Sequence, residues 1–275
     1  MSMNPGQSKN ERKTIRRNPL AVFSGGTVIG VLGGLIGLGG AEFRLPLLIG
    51  VFGFGALEAV MLNKAMSLVV VAAALPFRAA VVPFSSVLQR YDVIITLLSG
   101  SLAGAWLGAG WAIRLRSQGL YRVISVLLIG IAAVLLWGHG LSSGGAPLFH
   151  GWLLISVGVL AGVGIGVVAA LLGVAGGELL IPTVMLLFGV DLKLAGSIAL
   201  AVSLPTMITS FTRYSRDSAF AVIRRERRFL AIMAVGSIAG AYVGGRLLGI
   251  IPTPVLLPLL AAILVISAVK VWYHK

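Results

Sequence analysis

Apolar residues fill this chain in runs near twenty residues long that recur from Leu20 onwards, separated by short polar or glycine-rich stretches. At 1.5 Å per residue, a helix of that length crosses a hydrocarbon core of ~30 Å. In the first half the pattern predicts helices over about 20–38, 58–80, 92–114 and 121–138. Between the first two lies a shorter apolar segment, about 43–54, below the ~17 residues an upright crossing needs. It either crosses at a strong tilt or folds back on the first helix as a re-entrant hairpin. The expected fold class is an all-α polytopic membrane protein.

The pattern then repeats. "GVLGGLIGLGGAEFRLPLL" (Gly30 to Leu48) falls on "GVVAALLGVAGGELLIPTV" (Gly166 to Val184) at an offset of 136 residues. The same offset brings Glu42 onto Glu178, Pro46 onto Pro182, Ser67-Leu68 onto Ser203-Leu204, and "GSLAGAWLG" from Gly100 onto "GSIAGAYVG" from Gly236. Glycine and alanine alone would match by chance in such a composition. Glutamate, proline and Ser-Leu at one fixed offset would not. The chain therefore divides into a basic tail (1–18), a first membrane repeat (19–138), a linker (139–151) and a second membrane repeat (152–275).

Both options for the short segment leave an odd number of crossings per repeat, which makes the halves inverted; helix, break and short segment joined as one kinked span would give four crossings and parallel halves. Lysine and arginine gather in cytoplasmic loops. Inversion places 16 of them inside and 4 outside, against 15 and 5 for the parallel arrangement. The linker "GHGLSSGGAPLFHG" carries neither residue, which suits the outer face and favours inversion.

Composition narrows the function. Only 11% of residues are charged and the mean hydropathy is +1.02, where soluble domains run nearer 25% charged. The net charge of +14 would suggest nucleic acid in a soluble protein, but here it sits in loops, as in a cytoplasmic-membrane protein. The polar, basic start is read as a cytoplasmic tail, since the apolar run after it offers no small-residue cleavage site. There is no cysteine, and His139, His150 and His274 lack metal-ligand spacing. No metal, cofactor or nucleophile–base pair is expected, and "GGLIGLGG" lacks the Lys-Ser/Thr of a phosphate loop, so the chain is not read as an enzyme.

The chemistry concentrates at the glycine breaks. A helix that begins inside the membrane presents unpaired N–H groups and the positive end of its dipole, which suits an anion. The candidate cradles are Gly39-Gly40-Ala41 and Ala175-Gly176-Gly177, each followed within a turn or so by Pro46 or Pro182. Glu42 and Glu178 begin the short segments, either as caps for the N–H groups or as proton or cation carriers. A charged group at the bilayer centre costs ~2.5–3.5 kcal/mol on insertion scales, so two at matched positions imply a purpose. Arg44 and Lys64 have Leu180 and Leu200 as counterparts, and could contact substrate or pair with Glu42 and Glu58. Ser67 and Ser203 could add hydroxyl donors, as could Thr206 and Thr209, although such groups more often bond helix backbone.

The duplicated "GLGGAEFRLPLL" and "GVAGGELLIPTV" segments, the Ser-Leu helices and the two later glycine helices resemble the sulfite exporter TauE/SafE family of permeases. The resemblance spans nearly the whole chain beyond residue 18. It implies a transporter of small sulfur-containing anions, such as sulfite or organosulfonates, in the bacterial inner membrane. Ala41-Glu42 and Gly177-Glu178 stand where the commoner family pattern resembles Gly-Gly-Gly and an apolar residue. The expected partners are a small anion and the lipid bilayer, with a homo-oligomer left open. The competing readings are an anion channel, and a cation or proton transporter using the same two glutamates.

Overall fold

The structure, a computed structural model, describes residues 18–36, 40–79, 82–137, 148–247 and 253–273. Among them every regular element is helical. The first half holds α1 (Pro19–Ile36), α2 (Ala41–Gly50), α3 (Ala56–Ala79), a short α4 (Phe84–Leu88), α5 (Tyr91–Arg114) and α6 (Ser117–Trp137). The second holds α7 (Gly151–Leu172), α8 (Gly177–Phe188), α9 (Leu192–Tyr214), a 3₁₀ turn (Ser218–Phe220), a short α10 (Ala221–Arg225), α11 (Arg227–Leu247) and α12 (Thr253–Trp272). Helices α3, α5, α6, α7 and α9 contain stretches long and apolar enough to cross a membrane. The chain is a multi-pass membrane protein.

The long helices fall within a few residues of the sequence expectation. The turn at 84–88 and the helical pieces at 218–225 were not expected, because five-residue helices carry no usable period. The short segments double back on the helices before them. Leu47 and Phe52 lie against Gly25 of α1, and Phe188 lies against Gly158 of α7. Each pair is thus a hairpin, the second of the two options the length left open.

Backbone contact explains the glycine content. In lipid, helices gain little from hiding apolar surface from one another, so close approach of small residues supplies the attraction. The most extensive packing joins α1 to α11 and α5 to α7, the first helix of each half against a later helix of the other. A Cβ on Gly26 would meet Met233 O at 2.5 Å, and one on Gly162 would meet Leu97 O at 2.5 Å. Side chains on Gly104 and Gly240 would overlap Val163 O and Thr27 O. Gly26 and Gly162, like Gly104 and Gly240, are matched by the repeat. Each helix pair runs in one direction, with residues 26 and 30 beside 233 and 237, and residues 100 and 104 beside 159 and 163.

Elsewhere the core is conventional apolar packing. Phe52 and Phe54 stand edge-on to Phe229, with centroids 4.9 and 5.2 Å apart, closing the turn after α2 against the start of α11.

Candidate functional site

Two helix ends and two helix starts meet at the breaks. At the second break, α7 ends on Gly173, whose φ of +68° suits a residue without Cβ. Gly173 N–H donates to Ala170 O and Val174 N–H to Ala169 O, both at 3.1 Å, in the double bond of a Schellman cap. Side chains from α3 and α9 then add further bonds to the carbonyls of this end. Lys64 Nζ donates to Ala169 O and Val174 O at 2.8 Å each. Asn63 Nδ2 donates to Leu172 O at 3.0 Å, Ser67 Oγ to Gly173 O at 3.3 Å, and Tyr214 Oη to Ala170 O at 2.9 Å. The Lys64 ammonium thereby sits at the negative end of the α7 dipole.

The helix starts are treated differently. Gly40 (φ +68°) and Gly176 (φ +81°) are left-handed N-caps, and neither α2 nor α8 has a side-chain cap bond. A Cβ on Gly40 would stand 2.5 Å from Ile29 O, so only glycine lets α2 begin so close to α1. The carbonyl end of the second break is therefore closed by side chains, while both short helices begin on a glycine that has no side chain to cap them.

Four charged side chains surround these ends, all buried: Glu42, Arg44, Lys64 and Glu178. The Glu42 and Glu178 carboxyls face each other, with Arg44 in electrostatic reach of Glu42 and Lys64 in reach of Glu178. Neither Glu42 oxygen nor Glu178 Oε2 has a hydrogen-bond partner. Arg44 Nη1 donates to Asn63 Oδ1 and Ser67 Oγ, each at a long 3.4 Å. Asn63 Nδ2 also donates to Ala41 O at 2.9 Å. One amide therefore joins the start of α2, the end of α7 and the Arg44 guanidinium.

The model of the sulfite exporter TauE/SafE family matches this chain over residues 1–135 and 79–271, nearly its full length. The chain belongs to the sulfite exporter TauE/SafE family. It is accordingly a membrane permease of an exporter family. Neither a curated protein nor a solved structure matches it.

Most of the residues expected at the site of this TauE/SafE chain lie together. Gly40, Ala41, Glu42, Arg44 and Ser67 gather with Gly176, Gly177 and Glu178 around the two breaks, and Ser203 is buried on α9. Gly39 lies outside the described residues. Pro46 and Pro182 fall at the sixth residue of their helices rather than in the first turn. There each lacks the N–H that would bond the carbonyl of Glu42 or Glu178. Lys64 pairs with helix carbonyls rather than with Glu58, whose carboxylate accepts from Arg225 Nη2 at 2.8 Å. Thr206 and Thr209 bond the carbonyls of Val202 and Pro205 four residues back, and Thr206 also meets Ser101 at 2.7 Å.

Asn63 and Tyr214 were missed. Asn63 carried one available signal, a polar residue beside Lys64 inside an apolar run, with Ala199 as its counterpart. Tyr214 carried none, since a tyrosine at a helix end usually anchors at the membrane interface.

Proposed function

We propose that this TauE/SafE protein is a secondary transporter moving a small sulfur-containing anion, sulfite or an organosulfonate, across the cytoplasmic membrane, with protons carried on Glu42 and Glu178. The observation that carries the reading is the buried pairing of two helix starts on left-handed glycines with Arg44 beside Glu42 and Glu178, three of whose four carboxyl oxygens have no hydrogen-bond partner. An oxyanion would take N–H donors from Gly40-Ala41 and Gly176-Gly177, hydroxyl donors from Ser67 and Ser203, and a planar charged fork from Arg44. Lys64, held at the α7 carbonyls, neutralises the centre without reaching for cargo.

Charge balance supplies the coupling. With all four groups ionised, Glu42, Glu178, Arg44 and Lys64 sum to zero. A bound monoanion then leaves one uncompensated charge, at ~2.5–3.5 kcal/mol, or about a hundredfold in affinity. A proton on either carboxyl restores neutrality and gives that carboxyl a donor for the anion. Loading with a proton and unloading after its loss ties anion flux to a pH gradient.

The two halves, 19–138 and 152–275, are read as inverted. Support comes from which residues share an end. Gly50 lies against Lys270, Phe52 against Phe229, Glu58 against Arg225, and Arg122 over Trp272. The first hairpin thus opens where α11 begins and α12 finishes. The second opens at the opposite end, where Arg90 Nη2 donates to Phe188 O at 3.4 Å. Hairpins entering from opposite faces put both breaks on one anion, the arrangement that alternating access uses.

The test is flux of labelled sulfite and a small sulfonate in proteoliposomes, with and without an imposed pH gradient. The native chain should follow the gradient, and E42Q/E178Q should fold and lose that dependence. Equal transport by both proteins at every pH would sink proton coupling, and absence of flux for either anion would sink the substrate class.

A further inference from the structure

A second cationic cluster lies outside the central site. Arg213, in the last turn of α9, places its Cζ 4.9 Å from the centroid of the Trp106 ring on α5. Arg216, just past the helix, stands 5.2 Å from the same ring. The two guanidinium carbons are therefore at most about 10 Å apart. Two like charges on one indole repel each other. Among the described residues no carboxylate forms an ion pair with either, and Asp217 Oδ1 accepts from Ala219 N–H.

The Arg213 side chain is built into the protein rather than trailing in solvent. It lies across α5 at Gly110, where a Cβ would come within 3.4 Å of its Nε. That Nε is buried and has no hydrogen-bond partner. The indole face and the missing side chain of Gly110 hold the guanidinium in place, while its donors are left to something else. Its neighbour Tyr214 closes the carbonyl end of the second break through Ala170 O. The cluster thus stands directly outside the central site, at the end where the arginine-rich segment to Arg228 also lies.

The geometry points to an oxyanion-binding station at Arg213, Arg216 and Trp106, separate from the central site. Its ligand presents a charged group with several acceptor oxygens, such as sulfite, a sulfonate or a phosphate, since guanidinium forks match such groups with paired N–H bonds. The oxygens come either from a free anion waiting at the mouth or from the phosphate of an anionic lipid. The station does not depend on Glu42 or Glu178, so it stands or falls apart from the coupling reading.

Trp106 is its own reporter. The full chain would be reconstituted in nanodiscs of neutral phosphatidylcholine and titrated with sodium sulfite or inorganic phosphate while tryptophan emission is followed. A parallel set would replace neutral lipid stepwise with phosphatidylglycerol. The native chain and E42Q/E178Q should give the same saturable change. W106F should remove the signal, and R213Q/R216Q should raise the half-saturation point at least tenfold. Arg216 is exposed, so R216Q alone keeps the fold and should weaken binding several-fold. Saturation by soluble anion in neutral lipid supports the free-anion source, and saturation by phosphatidylglycerol alone supports the headgroup. No change with either ligand, or the native curve retained in R213Q/R216Q, overturns the station.

Discussion

Replacing Asn63 with leucine removes one side chain and loosens three elements. Asn63 is fully buried, so leucine of similar size fills the space without adding charge. What goes is the pair of Nδ2 bonds to Ala41 O and Leu172 O, at 2.9 and 3.0 Å, and the Oδ1 acceptor for Arg44. Hydrogen bonds between membrane helices average ~0.6 kcal/mol, so three contribute about 2 kcal/mol. Two carbonyls lose a partner in a dry interior, and at roughly 1–3 kcal/mol each that carries the upper estimate to about 6 kcal/mol. The expected loss is therefore about 2–6 kcal/mol, measurable as the shift in reversible unfolding in mixed micelles.

Stability alone would not distinguish a positioning role from a packing one, so transport is the second readout. Asn63 fixes Arg44 but, in this reading, does not touch the anion. N63L should raise the half-saturation concentration for sulfite more than it lowers the maximal rate, because a guanidinium that has lost its orienting acceptor binds less well in every state. N63D keeps shape, loses both donors and puts a carboxylate beside Arg44. It should therefore bind anion more weakly than N63L. The reasoning is refuted if N63L unfolds within ~0.5 kcal/mol of the native chain and transports with an unchanged half-saturation concentration.

Two further outcomes follow from the geometry. G104A drives a methyl into Val163 O and should destabilise by ~1–3 kcal/mol or prevent assembly, whereas G130A, with open space at its Cβ, should be neutral or up to about 1 kcal/mol more stable; paired unfolding curves compare them. The exposed Arg225–Glu58 pair should contribute less than ~1 kcal/mol and fade in 1 M salt, so E58Q and high salt should have similar, non-additive effects. Glu58 holds the Arg225 guanidinium above the ordinary arginine range. A raised folded-state value means that its contribution is complete at neutral pH and is lost only as pH rises through that value. Unfolding between pH 6 and 9 should therefore show no slope from Arg225.

Much of this protein was legible in the sequence because its signals are periodic or repeated. Helix extents follow from apolar run lengths, and the breaks from Gly-Gly pairs followed by Glu and Pro. The hairpins were legible only as one of two options. Twelve apolar residues fix how far a segment reaches, not which way it turns, and contacts such as Leu47 and Phe52 on Gly25 decide that. The residues that escaped, Asn63, Tyr214 and the Arg213–Trp106 pair, act across long sequence separations on backbone carbonyls or ring faces. A carbonyl has no letter in a sequence. Lys64 shows the same limit from the other side. Its charge was visible, but its partners at Ala169 and Val174 are main-chain groups more than a hundred residues away.

What the repeat preserves and what it breaks divide along physical lines. The glycines that let helices touch are kept in both halves, as are Pro46 with Pro182 and Glu42 with Glu178. The cations are not kept, for Arg44 faces Leu180 and Lys64 faces Leu200 under the same offset. Packing gains from duplication, since each glycine works locally against its own neighbour. Charge in a shared interior does not, because all of it acts in one place. Two glutamates balance two cations. A fully symmetric centre would hold four cations against two glutamates, leaving two buried charges uncompensated at ~2.5–3.5 kcal/mol each. Putting both cations in one half keeps the centre neutral and lets one cation close a helix end while the other, in the proposed reading, meets the anion. The fold is built twice, and the chemistry at its centre is built once.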